Sequence, residues 1–341
     1  MNNDLSESIN QIIINNILVI IDVFHSTKYD SIVFIINNPR YIFENTGINI
    51  KENMKITIDQ IPYTLSYIEP TDFDHIEQLN GKLFFKEIGF HMEVGIIKNM
   101  SKTTNISIEI YDSLYLFDIS NDDRFLSNKC LTTIHKDQYH LISQWIDYHK
   151  KLGFEKFIIY DNNWNNDENL LLKEKYKNDI ILIKANWQYW YKSNPIGCPI
   201  QQNHCIWKYC PKFLGLTDLD EYINIDENYL FNETYSIISI PNTFFGCGRK
   251  TSYNSKNFIE KMLYHEKQQD AISRRKCIIK SNTVDLFCVH IPITFDKNIL
   301  YLNFNDGYLN HYRQMSCNKD VICNCNDRCA IYDNTILAKM K

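Results

Sequence analysis

The feature of this 341-residue chain that most restricts its fold is a rhythm between residues 129 and 184. Residues 130–134, 157–160 and 180–183 are largely apolar runs of strand length, without the polar alternation of a half-exposed strand. Such runs suit strands covered on both faces, as in a parallel sheet flanked by helices. Between the first two, Leu141, Ile142, Trp145, Ile146, Tyr148 and Leu152 recur at helical spacing, with Asp137 in the first turn. Gly153 then suits the left-handed position that ends a helix. Residues 169–177 form a charged, helix-compatible stretch before the third run. The sum predicts an α/β unit with a parallel sheet, and such sheets bind ligands beyond the carboxyl ends of their strands. Asp161 and Asn162 stand at one such end, and Asp218 stands at another, after residues 213–217.

Residues 1–128 have a different texture: Ile, Val, Phe, Tyr and Thr in short runs such as 32–36, 55–58 and 106–110, separated by Asn, Asp and Gly. They read as a β-rich domain to which no chemistry is assigned. The apolar stretch 12–23 is interrupted by Asn15, Asn16 and Asp22. It falls short of the roughly 20 apolar residues a membrane span needs, and reads as a strand. Met1–Asn10 carries acidic and amide groups where a secretory signal carries Lys or Arg, so the expected location is cytoplasmic. A formal net charge of -5 gives no electrostatic footprint for nucleic acid. The divisions expected are therefore 1–128, an α/β domain over 129–316, and a Cys-rich tail over 317–341.

Of the eleven cysteines, seven are scattered in apolar surroundings, where a thiol behaves as a small hydrophobe. Cys317, Cys323, Cys325 and Cys329 crowd together, but their spacing does not match paired C-x-x-C zinc modules. Free thiols are the plain reading; a structural zinc and a disulfide pair stay open.

Asp218-Leu219-Asp220 is the candidate centre. In extended backbone, residues two apart point to one side, so both carboxylates can face a single cation while Leu219 turns inward. Mg²⁺ or Mn²⁺ wants such hard oxygen ligands, with phosphates and water completing the shell. A second triplet, Asp72-Phe73-Asp74, follows the polar turn Glu69-Pro70-Thr71, whereas the later one ends an apolar run and continues into Glu221, Tyr222 and Ile223. That context favours the later triplet.

The string LTDLDEYINI, residues 216–225, resembles the DxDEF-hydrophobic segment of glycosyltransferase family 92 and related family-2-like enzymes, with Tyr222 in place of Phe. SQWIDYHKKLGFEKFIIYDN (143–162), VHI (289–291) and NHYRQMS (310–316) resemble three further segments of those families in the same order. Gln144 and Met315 depart from the usual Glu and Lys. The resemblance implies a GT-A-like, Rossmann-like nucleotide-sugar-binding domain preceded by the β-rich one. It also implies inverting, metal-dependent transfer of a hexose or N-acetylhexosamine from a uridine diphosphate sugar to a glycan acceptor. Asp218 and Asp220 would hold Mn²⁺ or Mg²⁺, completed by His290 or its rival His311. Asp161, Asn162 and the His135-Lys136 turn would meet the donor; the plain reading of Asp161 is a cap on the next loop. Glu260 or Glu221 would serve as general base, unless the first is a solvated helix residue and the second orients the metal loop.

Residues 244–250 (FFGCGRK) resemble the family's acceptor loop, and Tyr189, Trp190 and Tyr191 could stack on a sugar ring or simply pack. The rival reading is a non-catalytic carbohydrate-binding protein on the same fold. A nucleotidyltransferase would need a Gly-rich phosphate loop after its first strand, and residues 135–140 contain no glycine.

Overall fold

The computed structural model describes residues 9–68, 92–100, 105–119, 128–190, 196–246, 252–253, 258–268, 274–288, 290–293, 298–312, 321–322 and 329–340. The N-terminal part is a two-sheet sandwich. One antiparallel sheet runs Ile12–Ile14, Ile17–Ser26, Ser31–Asn37, Met92–Lys98, Ser66–Tyr67. The other runs Ile61–Tyr63, Met54–Ile58, Asn105–Ile110, Ser113–Asp118. Their facing sides share a core rich in isoleucine, including Ile20, Phe34, Ile56 and Ile108. The stretch 12–23 is two strands rather than one. Asn15 and Asn16 adopt φ of 50° and 63°, the left-handed pair that a two-residue hairpin requires and that asparagine tolerates.

The outer face of the first sheet is also covered. It packs on helix Gly197–Lys208, whose residues 197–207 are all buried, and whose other side meets the α/β sheet in one continuous core. Phe24, Val33 and Val94 from the sandwich share that core with Ile206, Trp207, Ile134 and Tyr160. Burial on both faces explains why strand Ser31–Asn37 reads as an unbroken apolar run. The boundary read near residue 128 adjoins residues 120–127, which lie outside the described residues.

The α/β sheet has seven strands in the order Ile180–Lys184, Lys156–Asp161, Lys129–His135, Phe213–Leu216, Lys276–Ile279, Ile237–Ile240, Ile299–Tyr301. The first four are parallel, and Lys276–Ile279 runs antiparallel to both its neighbours. Side chains alternate between two cores: Cys130, Ile158 and Leu214 face helix Gly197–Lys208, while Leu131, Phe157 and Ile159 face helix Tyr139–Lys151. Gly153 ends that second helix at φ 92° with its N–H donating to Lys150 O. From Lys129–His135 the chain winds outward to one edge, then returns to place Phe213–Leu216 on the other side. The strand order therefore reverses between these two strands, and a crevice opens beyond their carboxyl ends.

A second five-stranded sheet, Glu221–Ile225, Gly307–His311, Asn242–Gly246, Tyr264–Glu266, Cys329–Tyr332, continues from that crevice. Gly307 starts its second strand at φ 127°, and an added Cβ would meet Ile225 Cα at 2.4 Å. Gly307→Ala is expected to lower unfolding free energy by about 1–3 kcal/mol through strain and overpacking. Urea denaturation would check this, and a change under about 0.5 kcal/mol would show that the strand start can relax.

Candidate active site

The triplet sits at the crevice, on the short connection between the two sheets. Strand Phe213–Leu216 ends, and the Glu221 N–H donates to Asp218 O (3.1 Å) while the Asp218 N–H donates to Glu221 Oε2 (2.9 Å). This reciprocal turn aims Asp218 outward, its side chain 44% exposed, and leaves Asp220 nearly buried. Leu219 is buried in the core, as its place between the two carboxylates requires.

Glu221 is 1% exposed and fully engaged: Oε2 also faces Lys276 Nζ at 3.3 Å, and Oε1 accepts from Asn242 Nδ2 at 3.0 Å. Burial pushes its carboxyl up against the opposing pull of Lys276. These contacts hold the turn together. Lys276, from the antiparallel strand, makes a 2.8 Å ion pair with Asp218 Oδ2. Burial disfavours its ammonium, but Asp218 and Glu221 outweigh that and raise its pKa.

His311 lies directly across the second sheet from Glu221. Its Nε2 is 3.5 Å from Asp220 Oδ2 and its Nδ1 3.5 Å from Glu221 Oε1. Burial works against its positive form, and Asp220 and Glu221 more than compensate, so its pKa is raised. His290 Nδ1 is 2.9 Å from Arg275 O. A carbonyl can only accept, so Nδ1 carries the proton and Nε2 keeps a lone pair. Burial, helped by the charge of Lys276, pushes His290 down to about 3. Both histidines named from the sequence thus belong to the neighbourhood of the triplet. Val289 lies outside the described residues.

On the other side of the crevice a cavity of ≈ 550 Å³ is lined by His135, Lys136, Gln138, Asn162, Trp187 and Trp190, among others. His135 is 1% exposed, neither ring nitrogen has a hydrogen-bond partner among the described residues, and burial pushes it down to about 4, which favours the neutral imidazole. The Trp187 indole N–H is likewise buried with no partner among the described residues. Tyr189 lines the same cavity, and its hydroxyl lies 2.9 Å from Cys198 Sγ. Burial chiefly raises its pKa, with contributions from the thiol and from the charges of Asp218 and Asp220. The Thr217 N–H donates to Thr132 O at 3.4 Å, which sets the start of the triplet beside the strand whose end lines the cavity. Gly197 allows the close approach of Tyr189, since a Cβ there would meet Tyr189 Cα at 2.9 Å. Tyr191 lies outside the described residues.

Asp161 is engaged by the loop that follows it. Its carboxylate accepts from the Tyr139 hydroxyl, Asn163 N (3.0 Å) and Asn169 Nδ2 (2.7 Å), which pins the following loop. This is the loop-cap arrangement. Asn162 does line the cavity, while its Nδ2 donates to Ala185 O and Trp187 O, at 2.6 and 2.8 Å. Glu260 is exposed on a four-residue helix, Phe258–Lys261, packed beside the C-terminal helix Thr335–Met340. Among the described residues no contact joins Glu260 to the triplet. Of the acceptor-loop string, Phe244–Gly246 is strand and 247–250 lies outside the described residues, as do Asp72–Asp74, Met315, Cys317, Cys323 and Cys325.

Sequence reasoning missed Lys276, Asn242 and Trp187. The available signal for Lys276 was a cation heading the apolar run Cys277–Ile279, which a strand buried on both faces does not accept without counter-charges.

A crevice at a strand-order reversal, with paired carboxylates on one side and a cavity on the other, is the place where open α/β sheets bind their ligands. The family model for glycosyltransferase family 92 matches residues 129–334, and the chain belongs to that family. A family 92 protein of Oryza sativa subsp. japonica is 21% identical over 201 residues, covering 54% of this chain and 33% of the relative. One from Ricinus communis is 23% identical over 209 residues, covering 54% and 34%. The chain thus spans about a third of the length of these relatives. Among solved structures, the apo form of the bifunctional glycosyltransferase WbbM overlaps with a TM-score of 0.35 at 9% identity, covering 59% of this chain and 50% of that one. HddC from Yersinia pseudotuberculosis gives 0.30 at 9% identity, covering 51% and 89%.

Proposed function

We propose that this protein is a metal-dependent glycosyltransferase with a GT-A-like, Rossmann-like domain. In this reading it moves a hexose or N-acetylhexosamine from a uridine diphosphate sugar to a glycan acceptor with inversion. The observation that carries the reading is the placement of Asp218 and Asp220 at the strand-order reversal beside the ≈ 550 Å³ cavity. Family membership supports the transfer chemistry; the donor, the inversion and a cytoplasmic setting rest on the sequence reading.

The donor set fits a hard cation. Among the described residues no three of His, Cys, Asp and Glu converge as a ready-made metal cage. A cation that takes two carboxylates and completes its shell with diphosphate oxygens and water needs none. Asp218 and Asp220 would hold it, with His311 or His290 beside them. When bound, such an ion neutralises charge on a departing diphosphate. The chain's own groups orient the rest: Glu221, Asn242 and Lys276 fix the turn, and the buried nitrogens of His135 and Trp187, without partners among the described residues, offer polar contacts to whatever fills the cavity.

Calorimetric titration with UDP-glucose, UDP-galactose, UDP-N-acetylglucosamine and GDP-mannose, in Mn²⁺, Mg²⁺ or EDTA, tests the reading. One UDP-sugar is expected to bind only with metal. If no donor binds with either metal while glycans do, the protein is a carbohydrate-binding relative that lacks transfer.

A further inference from the structure

We propose that Lys276 is a positioning residue of the carboxylate cluster, a resident counter-cation that competes with a divalent ion for Asp218 and so sets the affinity of the site for metal. The inference rests on the metal-site reading above and deepens it. Three carboxylates, Asp218, Asp220 and Glu221, are gathered on four consecutive positions at a crevice floor. Opposite them stands one ammonium group, 4% exposed, 2.8 Å from Asp218 and 3.3 Å from Glu221. The antiparallel register pairs Leu216 with Cys277, so continuing it by one residue sets Lys276 opposite Thr217, directly beneath the triplet.

A lysine buried to this degree is kept charged only by its partners, and here the partners are the groups that a cation would need. Three carboxylate groups face one ammonium and one imidazole, so the cluster offers more oxygen donors than its resident cation occupies. Asp218 is the half-open member, and its Oδ2 is the atom that Lys276 holds. A divalent ion taking that oxygen must share it with the ammonium or displace it. A displaced ammonium stays anchored by Glu221 at the crevice, where an entering diphosphate would find it.

The test uses the full chain without donor, with free Mn²⁺ measured by electron paramagnetic resonance during titration. Lys276→Met is expected to bind Mn²⁺ at least about tenfold more tightly than wild type, and to gain more thermal stability from Mn²⁺. Lys276→Arg, which keeps the charge, is expected to stay within about threefold of wild type. A merely structural lysine would not give tighter binding on removal. Unchanged or weaker Mn²⁺ affinity in folded Lys276→Met would overturn the proposal, as would absence of Mn²⁺ binding by every variant. Should Lys276→Met fail to fold, the double variant Glu221→Gln/Lys276→Met removes one charge of each sign. Mn²⁺ affinity above wild type there supports competition for Asp218, and wild-type affinity overturns it. Donor binding is a separate titration: a tightened Mn²⁺ response with no donor bound would sink the transferase reading and leave the role of Lys276 standing.

Discussion

Asp220→Asn is expected to cut metal-supported turnover of the identified donor by about 10²–10³-fold, equivalent to removing one preorganised electrostatic contact worth about 2.7–4 kcal/mol. The substitution keeps shape and volume but exchanges a hard anionic oxygen for a neutral amide. Asp220 is the member of the pair not held by Lys276; among the described residues its side chain makes an ion-pair contact with His311, at 3.5 Å. Its backbone carbonyl accepts from Tyr312 N at 2.8 Å, a bond the substitution leaves intact, so the fold should persist. Steady-state assays at saturating Mn²⁺, with circular dichroism as a fold control, would check the prediction. Turnover within about threefold of wild type would remove Asp220 from the metal site.

The second large effect is on stability. Asp22→Ala is expected to cost about 3–5 kcal/mol, because it strands buried charges rather than removing a whole pair. Asp22 sits at a bulge in strand Ile17–Ser26, where the register against Ser31–Asn37 shifts and the side chain turns towards helix Gly197–Lys208. There Oδ2 accepts from Lys208 Nζ at 2.7 Å and lies 2.8 Å from His204 Nε2, and Oδ1 accepts from Asn10 N at 2.7 Å. His204 Nδ1 in turn lies 2.7 Å from the Tyr160 hydroxyl, on the parallel sheet. Burial alone would raise the Asp22 carboxyl, but Lys208 and His204 outweigh it and hold it below the usual value. The stabilisation is therefore complete above about pH 4, the unfolded value, and is lost as pH falls through the lower folded one. In urea, the midpoint of the whole chain should move as one transition. If only the sandwich signal shifts while the α/β unit melts as before, the two parts are thermodynamically separate.

What the sequence revealed followed from how each element is buried. The strands 129–135, 156–161 and 180–184 and helix Tyr139–Lys151 were legible because each buries a regular face. The triplet was legible because an apolar run stops at it. Helix Gly197–Lys208 was not legible, since it is buried all round and carries Gln201, Gln202, Asn203 and His204 inside. Their hydrogen bonds satisfy them there: Gln201 donates to Thr132 Oγ1 at 2.6 Å, and Asn203 exchanges two bonds with the Phe287 backbone, each at 2.8 Å. No periodicity announces such a helix. The engagement of Asp161 and Glu221 by neighbouring groups was not legible, because whether a carboxylate is free or engaged depends on partners up to about ninety positions away, such as His311 for Glu221.

The carboxylate triplet lies on a seam. Asp218 follows a strand of the seven-stranded sheet, from which Lys276 also comes, while Glu221 opens a strand of the five-stranded sheet, which also supplies His311. Each sheet thus supplies part of the cluster, with Asp220 on the link between them, and the spacing of these groups is a gauge of how the two slabs are seated. A slip of one slab by an ångström changes the site without altering a single residue in it, and an ion gripping both aspartates would rivet the slabs together.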